Sequence, residues 1–207
     1  MLNGLKEAPH CVTIRPIGPV EEYILEYLSE FIAERCNIKC LIDSEIEIPE
    51  FVFNKTRNQY NSKLIIKHLI ENQPVDTNKF IGVTNVDLFI PILKYVFGIA
   101  QIEGNYSIIS TYRLYPEFYD KPSNSGLFIE RTKKTALHEI GHTFGLTHCR
   151  DLECVMHSSA RIKDTDIKSS FFCPTCSDLF KWYSHEKYKQ PAKLIDNHFP
   201  SNKMPSF

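Results

Sequence analysis

One stretch of the chain guides the interpretation of all the rest: His138-Glu139-Ile140-Gly141-His142-Thr143-Phe144-Gly145-Leu146-Thr147-His148. The first two histidines are four residues apart, so on a helix both imidazoles would point at a single ion. Gly145 stands where a helix end needs left-handed backbone, and the chain can then turn to present His148 as a third ligand. Three protein ligands that leave a position for water are typical of a catalytic zinc, whereas structural zinc is closed by four.

Glu139 is the candidate catalytic residue of this stretch. It would fall beside the open position of the metal, where a carboxylate can take a proton from water. The opposite stripe of the same helix is apolar and should face the core: Ala136, Leu137, Ile140 and Phe144. The pattern therefore predicts a helix from about Leu127 to Phe144 whose histidine face borders a cleft.

Four of the seven cysteines follow closely after the histidines: Cys149, Cys154, Cys173 and Cys176. Four thiolates in two local pairs suit a tetrahedral zinc ion, and a C-x-x-C pair offers both sulfurs with little strain. We therefore predict a structural zinc that ties the segment after His148 to the start of the last helix. That lobe has few apolar residues, so a bound ion would supply stability that its core lacks.

Other interpretations of these cysteines stay open. A thioredoxin-like redox site or a disulfide could use Cys173 and Cys176, but the redox site would need a preceding strand in a βαβ unit, which is not evident. A zinc ribbon for nucleic acid fits the spacing, yet the neighbourhood is not strongly basic. The remaining cysteines, Cys11, Cys36 and Cys40, are predicted to be ordinary reduced thiols.

Composition places the chain among ordinary globular proteins. It has 207 residues, 43% of them hydrophobic, with 24 basic and 25 acidic side chains. The length fits one domain, or one domain divided by a cleft. Near-neutral charge argues against a nucleic-acid or anionic-membrane partner. Met1–His10 lacks the apolar core of a signal peptide, and the longest apolar stretch, Leu88–Ala100, is too short to span a bilayer. We therefore expect a cytoplasmic protein.

Local periodicity indicates a mixed α/β fold. The pattern predicts strands at Cys11–Arg15, Ile38–Ile48, Phe80–Leu88, Tyr95–Glu103 and Tyr106–Leu114, and further helices at Glu21–Glu34, Arg57–Glu71 and Pro174–Tyr188. Gly104-Asn105 should form a hairpin turn, because both residues tolerate positive φ. We expect Gln190–Phe207 to be extended or disordered.

The histidine stretch resembles the extended zinc signature of the metzincin metalloproteases. Cys154-Val155-Met156 resembles their Met-turn, in which a methionine, here Met156, lies under the zinc site. The clustered cysteines narrow the resemblance to the archaemetzincins, and Gly82–Leu88, Phe97–Ala100 and Ser110–Leu114 are also similar to that family. The interval from Met156 to Cys173 is about one residue shorter than the family pattern, which a loop can absorb.

The resemblance implies an α/β fold of the metzincin-like zincin type, a twisted mixed sheet with packed helices. Residues 1–146 would form an N-terminal subdomain with the active-site helix, and residues 147–207 a small zinc-stabilised C-terminal subdomain with the Met-turn, the four-cysteine site and the final helix. It also implies two zinc ions per chain and zinc-dependent peptide-bond hydrolysis. The implied residues are the base Glu139, the catalytic-zinc ligands His138, His142 and His148, and the structural-zinc ligands Cys149, Cys154, Cys173 and Cys176.

Two further function classes compete with a peptidase. One is a metzincin-like zinc protein that binds peptides but hydrolyses them weakly or not at all, and the presence of Glu139 speaks against it. The other is a zinc-stabilised interaction module, which the open three-histidine site disfavours. For the peptidase we expect a monomer whose partner is a peptide or protein substrate, with no nucleic acid and no membrane. The strand Tyr95–Glu103 is a candidate sheet edge along which an extended peptide could pair.

Overall fold

A computed structural model describes residues 11–72 and 79–186 of the chain. The strands and helices in chain order are β1 (Cys11–Pro16), α1 (Glu22–Cys36), β2 (Lys39–Ile42), β3 (Phe53–Asn54), β4 (Gln59–Asn61), α2 (Ser62–Asn72), β5 (Lys79–Thr84), β6 (Leu88–Phe89), β7 (Gly98–Ala100), β8 (Tyr106–Ser110), α3 (Ser125–Thr143), α4 (Ile162–Ile167) and α5 (Pro174–Lys181). Short 3₁₀ turns occupy Glu50–Val52 and Pro116–Tyr119, and a π-helical turn, Trp182–Glu186, follows α5.

The main sheet has five strands in the order β2-β1-β5-β8-β7. β1 pairs in parallel with β2 and β5, and β5 pairs in parallel with β8. β7 is antiparallel to β8 and forms one edge of the sheet. A smaller three-stranded sheet, in the order β3-β4-β6, lies beside it. This mixed sheet with packed helices confirms the predicted fold class.

Helices cover both faces of the main sheet. Alternate residues of each strand point to opposite sides, so apolar side chains on both faces need cover. Ile81 and Val83 of β5 belong to a core that also contains the apolar faces of α1 and α3. Phe80, the neighbour of Ile81, belongs to a second core together with α2. The histidine-bearing helix α3 therefore packs against both the sheet and α1, and it also contacts the edge strand β7.

The helix that carries the histidines starts and stops for local reasons. Asn124 is its N-cap, since its side-chain oxygen accepts a hydrogen bond of 2.9 Å from the Leu127 amide. At the other end, Gly145 has φ of 101°, which a residue with a side chain rarely adopts. The Gly145 amide donates to the His142 carbonyl and the Leu146 amide donates to the Gly141 carbonyl, which ends the helix. Both boundaries match the predicted helix to within two residues.

Two elements in the first half of the chain are shorter than predicted. The strand predicted over Ile38–Ile48 pairs only as β2, and beyond it the chain touches the sheet again at a single bridge, Ile17 with Ile46. The ladder stops near Pro16 because proline has no amide hydrogen to donate. The helix predicted from Arg57 starts only at Ser62, since Gln59–Asn61 pairs as β4.

The predicted hairpin between the last two strands is present, with shorter strands. The segment Tyr95–Glu103 pairs with β8 only as β7, over three residues. The residue with positive φ in the connection is Glu103, at 59°, and not Gly104 or Asn105 as the sequence suggested. The Glu103 amide donates to the His142 carbonyl at 2.9 Å, which holds this turn against the end of α3.

The C-terminal part of the described chain contains α4, α5 and the turns between them. The predicted final helix is confirmed from Pro174 to Lys181, continues as the π-helical turn to Glu186, and beyond that lies outside the described residues, as does Gln190–Phe207. Within the part of the chain that the structure describes, no helix combines the length and the apolar character that a bilayer crossing requires.

Candidate active site and metal centres

The three predicted histidine ligands come together at one point. One ring nitrogen from each of His138, His142 and His148 lies within 4.8 Å of the others. The Nε2 atoms of His138 and His142 are 3.1 Å apart. Two nitrogens bound to one tetrahedral zinc at ordinary bond lengths are about 3.3 Å apart. The arrangement therefore fits a zinc ion.

Backbone carbonyls orient the first two imidazoles. His138 Nδ1 lies 2.8 Å from the Val155 carbonyl oxygen, and His142 Nδ1 lies 2.7 Å from that of Leu146. A carbonyl can only accept, so both Nδ1 atoms carry hydrogen and both Nε2 atoms keep the lone pair that a metal needs. Burial lowers the pKa of His138 well below its usual value and that of His142 to about 4, which keeps both rings neutral.

Glu139 is buried beside this histidine group. Its side chain packs against Gly98 of β7, where a Cβ atom would lie only 2.7 Å from Glu139 Cγ. Burial raises the pKa of Glu139 to about 8, and the positive charge of Lys168 opposes this rise. A carboxyl group in such an environment can hold or release a proton near neutral pH, as a general base must.

Met156 lies beneath the histidines. The helix approaches it so closely at Gly141 that an added Cβ would stand 2.5 Å from the Met156 sulfur. Met156 is fully buried, and the neighbouring Val155 carbonyl is the one that orients His138. Met156 therefore packs directly against the helix that carries His138 and His142.

The four predicted cysteines form a second group. Their sulfur atoms all lie within 4.8 Å of one another, and those of Cys149 and Cys173 are 3.8 Å apart. Thiolates around one tetrahedral zinc are about 3.8 Å apart, so this donor set also fits the metal. The Cys173 amide donates to Cys154 Sγ at 3.3 Å, which stabilises negative charge on that sulfur.

The remaining cysteines stay outside both groups. Cys36 is buried and Cys40 is half-buried, and all seven cysteines are free thiols in the structure. Burial raises the pKa of Cys36 to about 12 and that of Cys40 to about 11. Burial therefore favours the protonated thiol at both positions, which is consistent with the ordinary reduced thiols that the sequence predicts.

A cleft of about 830 Å³ runs past the histidine group. One wall is the edge strand β7 with the residues before it, and the other is the segment from Ser158 to Arg161. The Tyr95 hydroxyl donates to the Ala160 carbonyl at 3.2 Å and so joins the two walls. Of the described residues that line the cleft, Glu139 alone is acidic.

The sequence reasoning missed one residue of this cleft, Lys168. It lines the cleft and is only 2% exposed, with its Nζ atom 3.1 Å from the His157 carbonyl oxygen and 3.4 Å from His138 Nδ1. Lysine is ordinarily exposed, so no sequence pattern marked it. Two nearby basic residues are not part of the cleft lining: Arg113 forms an ion pair of 2.6 Å with Asp87, and His157 does not line the cleft.

Comparison with known proteins places these features in one family. The family model described as peptidase family M54 matches residues 15–182. The archaemetzincin of Methanocaldococcus jannaschii is 40% identical over 165 residues, which cover 80% of this chain and 89% of that protein. The archaemetzincin of Thermococcus kodakarensis is 35% identical over 171 residues, with coverage of 80% and 92%.

Solved structures agree with the sequence matches. The crystal structure of archaemetzincin from Archaeoglobus fulgidus, complexed with malonate, is 31% identical with a TM-score of 0.72 and covers 82% of this chain and 99% of that chain. The crystal structure of archaemetzincin from Methanopyrus kandleri is 28% identical with a TM-score of 0.75, and the coverage is 84% and 95%.

Proposed function

The chain belongs to peptidase family M54, the archaemetzincin zinc metalloproteases, and we propose that Glu139 is the general base of its peptide-bond hydrolysis. Peptides or proteins are therefore its substrates. One observation carries the proposal: Glu139 is the only acidic residue among the described residues that line the cleft, and it lies next to the three-histidine group. A hydrolytic site needs such a base within reach of the attacking water.

We propose that His138, His142 and His148 hold the catalytic zinc and that Cys149, Cys154, Cys173 and Cys176 hold the structural zinc. When bound by the histidines, zinc supplies Lewis-acid polarisation of the scissile carbonyl and acidifies a water molecule. Glu139 takes a proton from the attacking water as the water oxygen forms a bond to the carbonyl carbon. The same carboxyl group then gives the proton to the amine nitrogen as the carbon–nitrogen bond breaks.

We propose that an extended substrate peptide binds along the edge strand β7. It lines the cleft, and its outer side is unpaired because β7 ends the sheet order of the described residues. An extended peptide can add to such an edge by main-chain hydrogen bonds. Gly98 would bring that peptide close to Glu139, because the Glu139 side chain already packs against this glycine.

Several coarser features accompany this proposal. We propose that residues 1–146 and 147–207 are the two subdomains of the enzyme, a division supported by the placement of the histidine helix before the boundary and of all four clustered cysteines after it. We also propose a cytoplasmic monomer without a nucleic-acid or membrane partner, which the near-balanced 24 basic and 25 acidic side chains support. Sedimentation of the purified protein and fractionation of cells test these features.

The test of the base is Glu139→Gln in zinc-loaded protein. Digestion of a peptide library with mass-spectrometric readout should show at least a roughly 100-fold loss of cleavage, with the zinc content unchanged. The matched control is Glu130→Gln on the same helix, since Glu130 contacts Lys133 at the surface and should leave activity intact. Full activity in Glu139→Gln would refute the assigned role. A wild-type enzyme that binds library peptides without cleaving them would favour the peptide-binding alternative.

A further inference from the structure

The buried ammonium group of Lys168 has no carboxylate in direct contact among the described residues; the carboxylates that act on it, Glu139 and Asp164, lie beyond ion-pair distance. Among the described residues, none of the ion pairs includes Lys168, although its side chain is almost fully buried. Its one good acceptor is the His157 carbonyl oxygen at 3.1 Å. His138 Nδ1, at 3.4 Å, already donates to the Val155 carbonyl and has no lone pair to offer. An ammonium has three donors, so this group can still donate to a ligand in the cleft that it lines.

The cleft around Lys168 is positively charged. Lys94 and Arg161 line the same cleft, and Glu139 is the only described lining residue of opposite sign. Arg161 contacts Asp164 at 3.8 Å, and in the proposed mechanism the Glu139 carboxylate faces the attacking water, so Lys94 and Lys168 contribute net positive charge to the cleft lining. A narrow cleft lined by one sign of charge concentrates ligands of the other sign.

Lys168 is held rigidly at the wall of the cleft. It follows directly on α4, whose Asp166 forms a bidentate ion pair with the fully buried Arg131 of α3, at 2.6 and 2.8 Å. Thr165, one turn earlier, lines the cleft beside Lys168, and Thr135 of α3 lines it as well. The cation and the two threonines are therefore placed before any ligand arrives, which is the condition for selective polar recognition.

We propose that Lys168 forms an anion-binding subsite, so that the enzyme selects substrates with a carboxylate close to the scissile bond. Lys168 lines the same cleft as Glu139 and the three histidines, and its charge acts on the Glu139 carboxyl group, so the subsite opens to the space that holds the substrate. A carboxylate there would accept hydrogen bonds from the ammonium group. Such a group can come from an aspartate or glutamate side chain or from the end of the substrate chain. This inference rests on the proposed peptidase function.

A purely structural lysine would behave differently. Lys168 also supports the His157 carbonyl, so its loss could weaken the fold without any effect on substrate choice. The readout must therefore be selectivity between matched substrates and not total activity. A structural role would lower kcat/KM for all substrates alike, whereas a specificity role changes their ratio.

The experiment uses zinc-loaded enzyme and peptides that differ only in one carboxylate. Glutamate and glutamine peptides test the side-chain source, and free and amidated C-termini test the chain-end source. We expect kcat/KM to favour the acid over its amide by about 10- to 100-fold in one of these pairs. Lys168→Met should reduce that ratio to nearly one, and Lys168→Arg should restore part of it.

Lys134→Met is the matched control. Lys134 also donates to carbonyl groups of α4, those of Thr165 and Asp166, but it does not line the cleft. It should keep the wild-type ratio. Absence of a carboxylate preference in the wild-type enzyme would overturn the proposal, and so would a preference that survives in Lys168→Met.

A binding measurement separates this inference from the proposed function. Fluorescence polarisation with labelled versions of the same peptides is read on zinc-loaded Glu139→Gln, with and without Lys168→Met. Tighter binding of the acid that depends on Lys168 would support the subsite even if the wild-type enzyme cleaves none of these peptides. Equal binding of acid and amide would refute the subsite, whatever the cleavage assay shows about Glu139.

Discussion

A Cβ atom on Gly141 would stand 2.5 Å from the sulfur of Met156. The helix that carries His138 and His142 thus rests directly on the buried methionine, with no room for a methyl group between them. The Val155 carbonyl next to that methionine orients His138. The contact between Gly141 and Met156 therefore also fixes how far the helix lies from the turn that supports this histidine.

Gly141→Ala should destabilise the protein and weaken its hold on zinc. Overpacking at a buried contact costs about 1 to 3 kcal/mol in free energy of unfolding, and here the displaced atoms belong to the metal site. Thermal denaturation and zinc analysis measure the two effects. Gly126→Ala in the first turn of the same helix is the control, because an added Cβ there meets nothing closer than 3.5 Å. Equal stability of the two variants would contradict the prediction.

Gly98→Ala should lower kcat and leave the zinc content unchanged. The new Cβ would meet Glu139 Cγ at 2.7 Å and the Ile108 carbonyl oxygen at 2.8 Å, so either the base or the edge strand must move. A displacement of this size costs roughly 10- to 100-fold in rate. Steady-state kinetics beside metal analysis provide the measurement. A variant with wild-type kcat would show that the position of Glu139 does not depend on Gly98.

Arg131→Met should cost about 2 to 3 kcal/mol in free energy of unfolding. Arg131 is 0% exposed, and the change leaves Asp166 without its bidentate partner. Urea denaturation measures the loss. The control is Lys67→Met, which breaks an exposed pair with Glu71 and should change stability by less than about 0.5 kcal/mol. A loss no larger than that of the control would mean that the Arg131–Asp166 ion pair does not stabilise the fold.

Chelation should expose four thiols and leave Cys36 protected. Alkylation of the native protein with iodoacetamide is expected to be slow at the metal-binding cysteines while zinc is bound and to become fast after the metal is removed. Cys36 should react only on unfolding, since burial raises its pKa to about 12. Mass-spectrometric mapping identifies the labelled sites. Cys173→Ser should lose the zinc of the cysteine group, bind the zinc of the histidine group more weakly and melt at a lower temperature, and an unchanged melting curve would indicate that these cysteines hold no stabilising metal.

The sequence identified both groups of candidate metal ligands because their geometry is local. Histidines four apart on a helix, a glycine at its end and a C-x-x-C pair each fix a distance within a few residues, and the structure brings both ligand groups together as expected. The ends of helix α3 are nearly as predictable from the sequence, since Asn124 and Gly145 are residue types that commonly begin and end helices.

What the sequence did not reveal depends on distant contacts. Gly98 and Glu139 are 41 positions apart in sequence, and only the sheet topology brings them together. Lys168 carries no local signal, because its burial follows from the Arg131–Asp166 pair that fixes α4. The start of α2 was misplaced for a similar reason: Asn58 has φ of 52° and Gln59–Asn61 pairs with β6, so Asn61 caps the helix instead.

The two metal groups share one short stretch of chain. His148 and Cys149 are adjacent, and Val155, whose carbonyl orients His138, directly follows Cys154. Whatever loosens the cysteine group therefore also loosens the third histidine and the support of the first. We therefore expect the two sites to bind zinc cooperatively. When zinc is scarce, most molecules would then hold either two ions or none, and few would hold one. Metal supply would then set how many enzyme molecules exist and not how fast each one works.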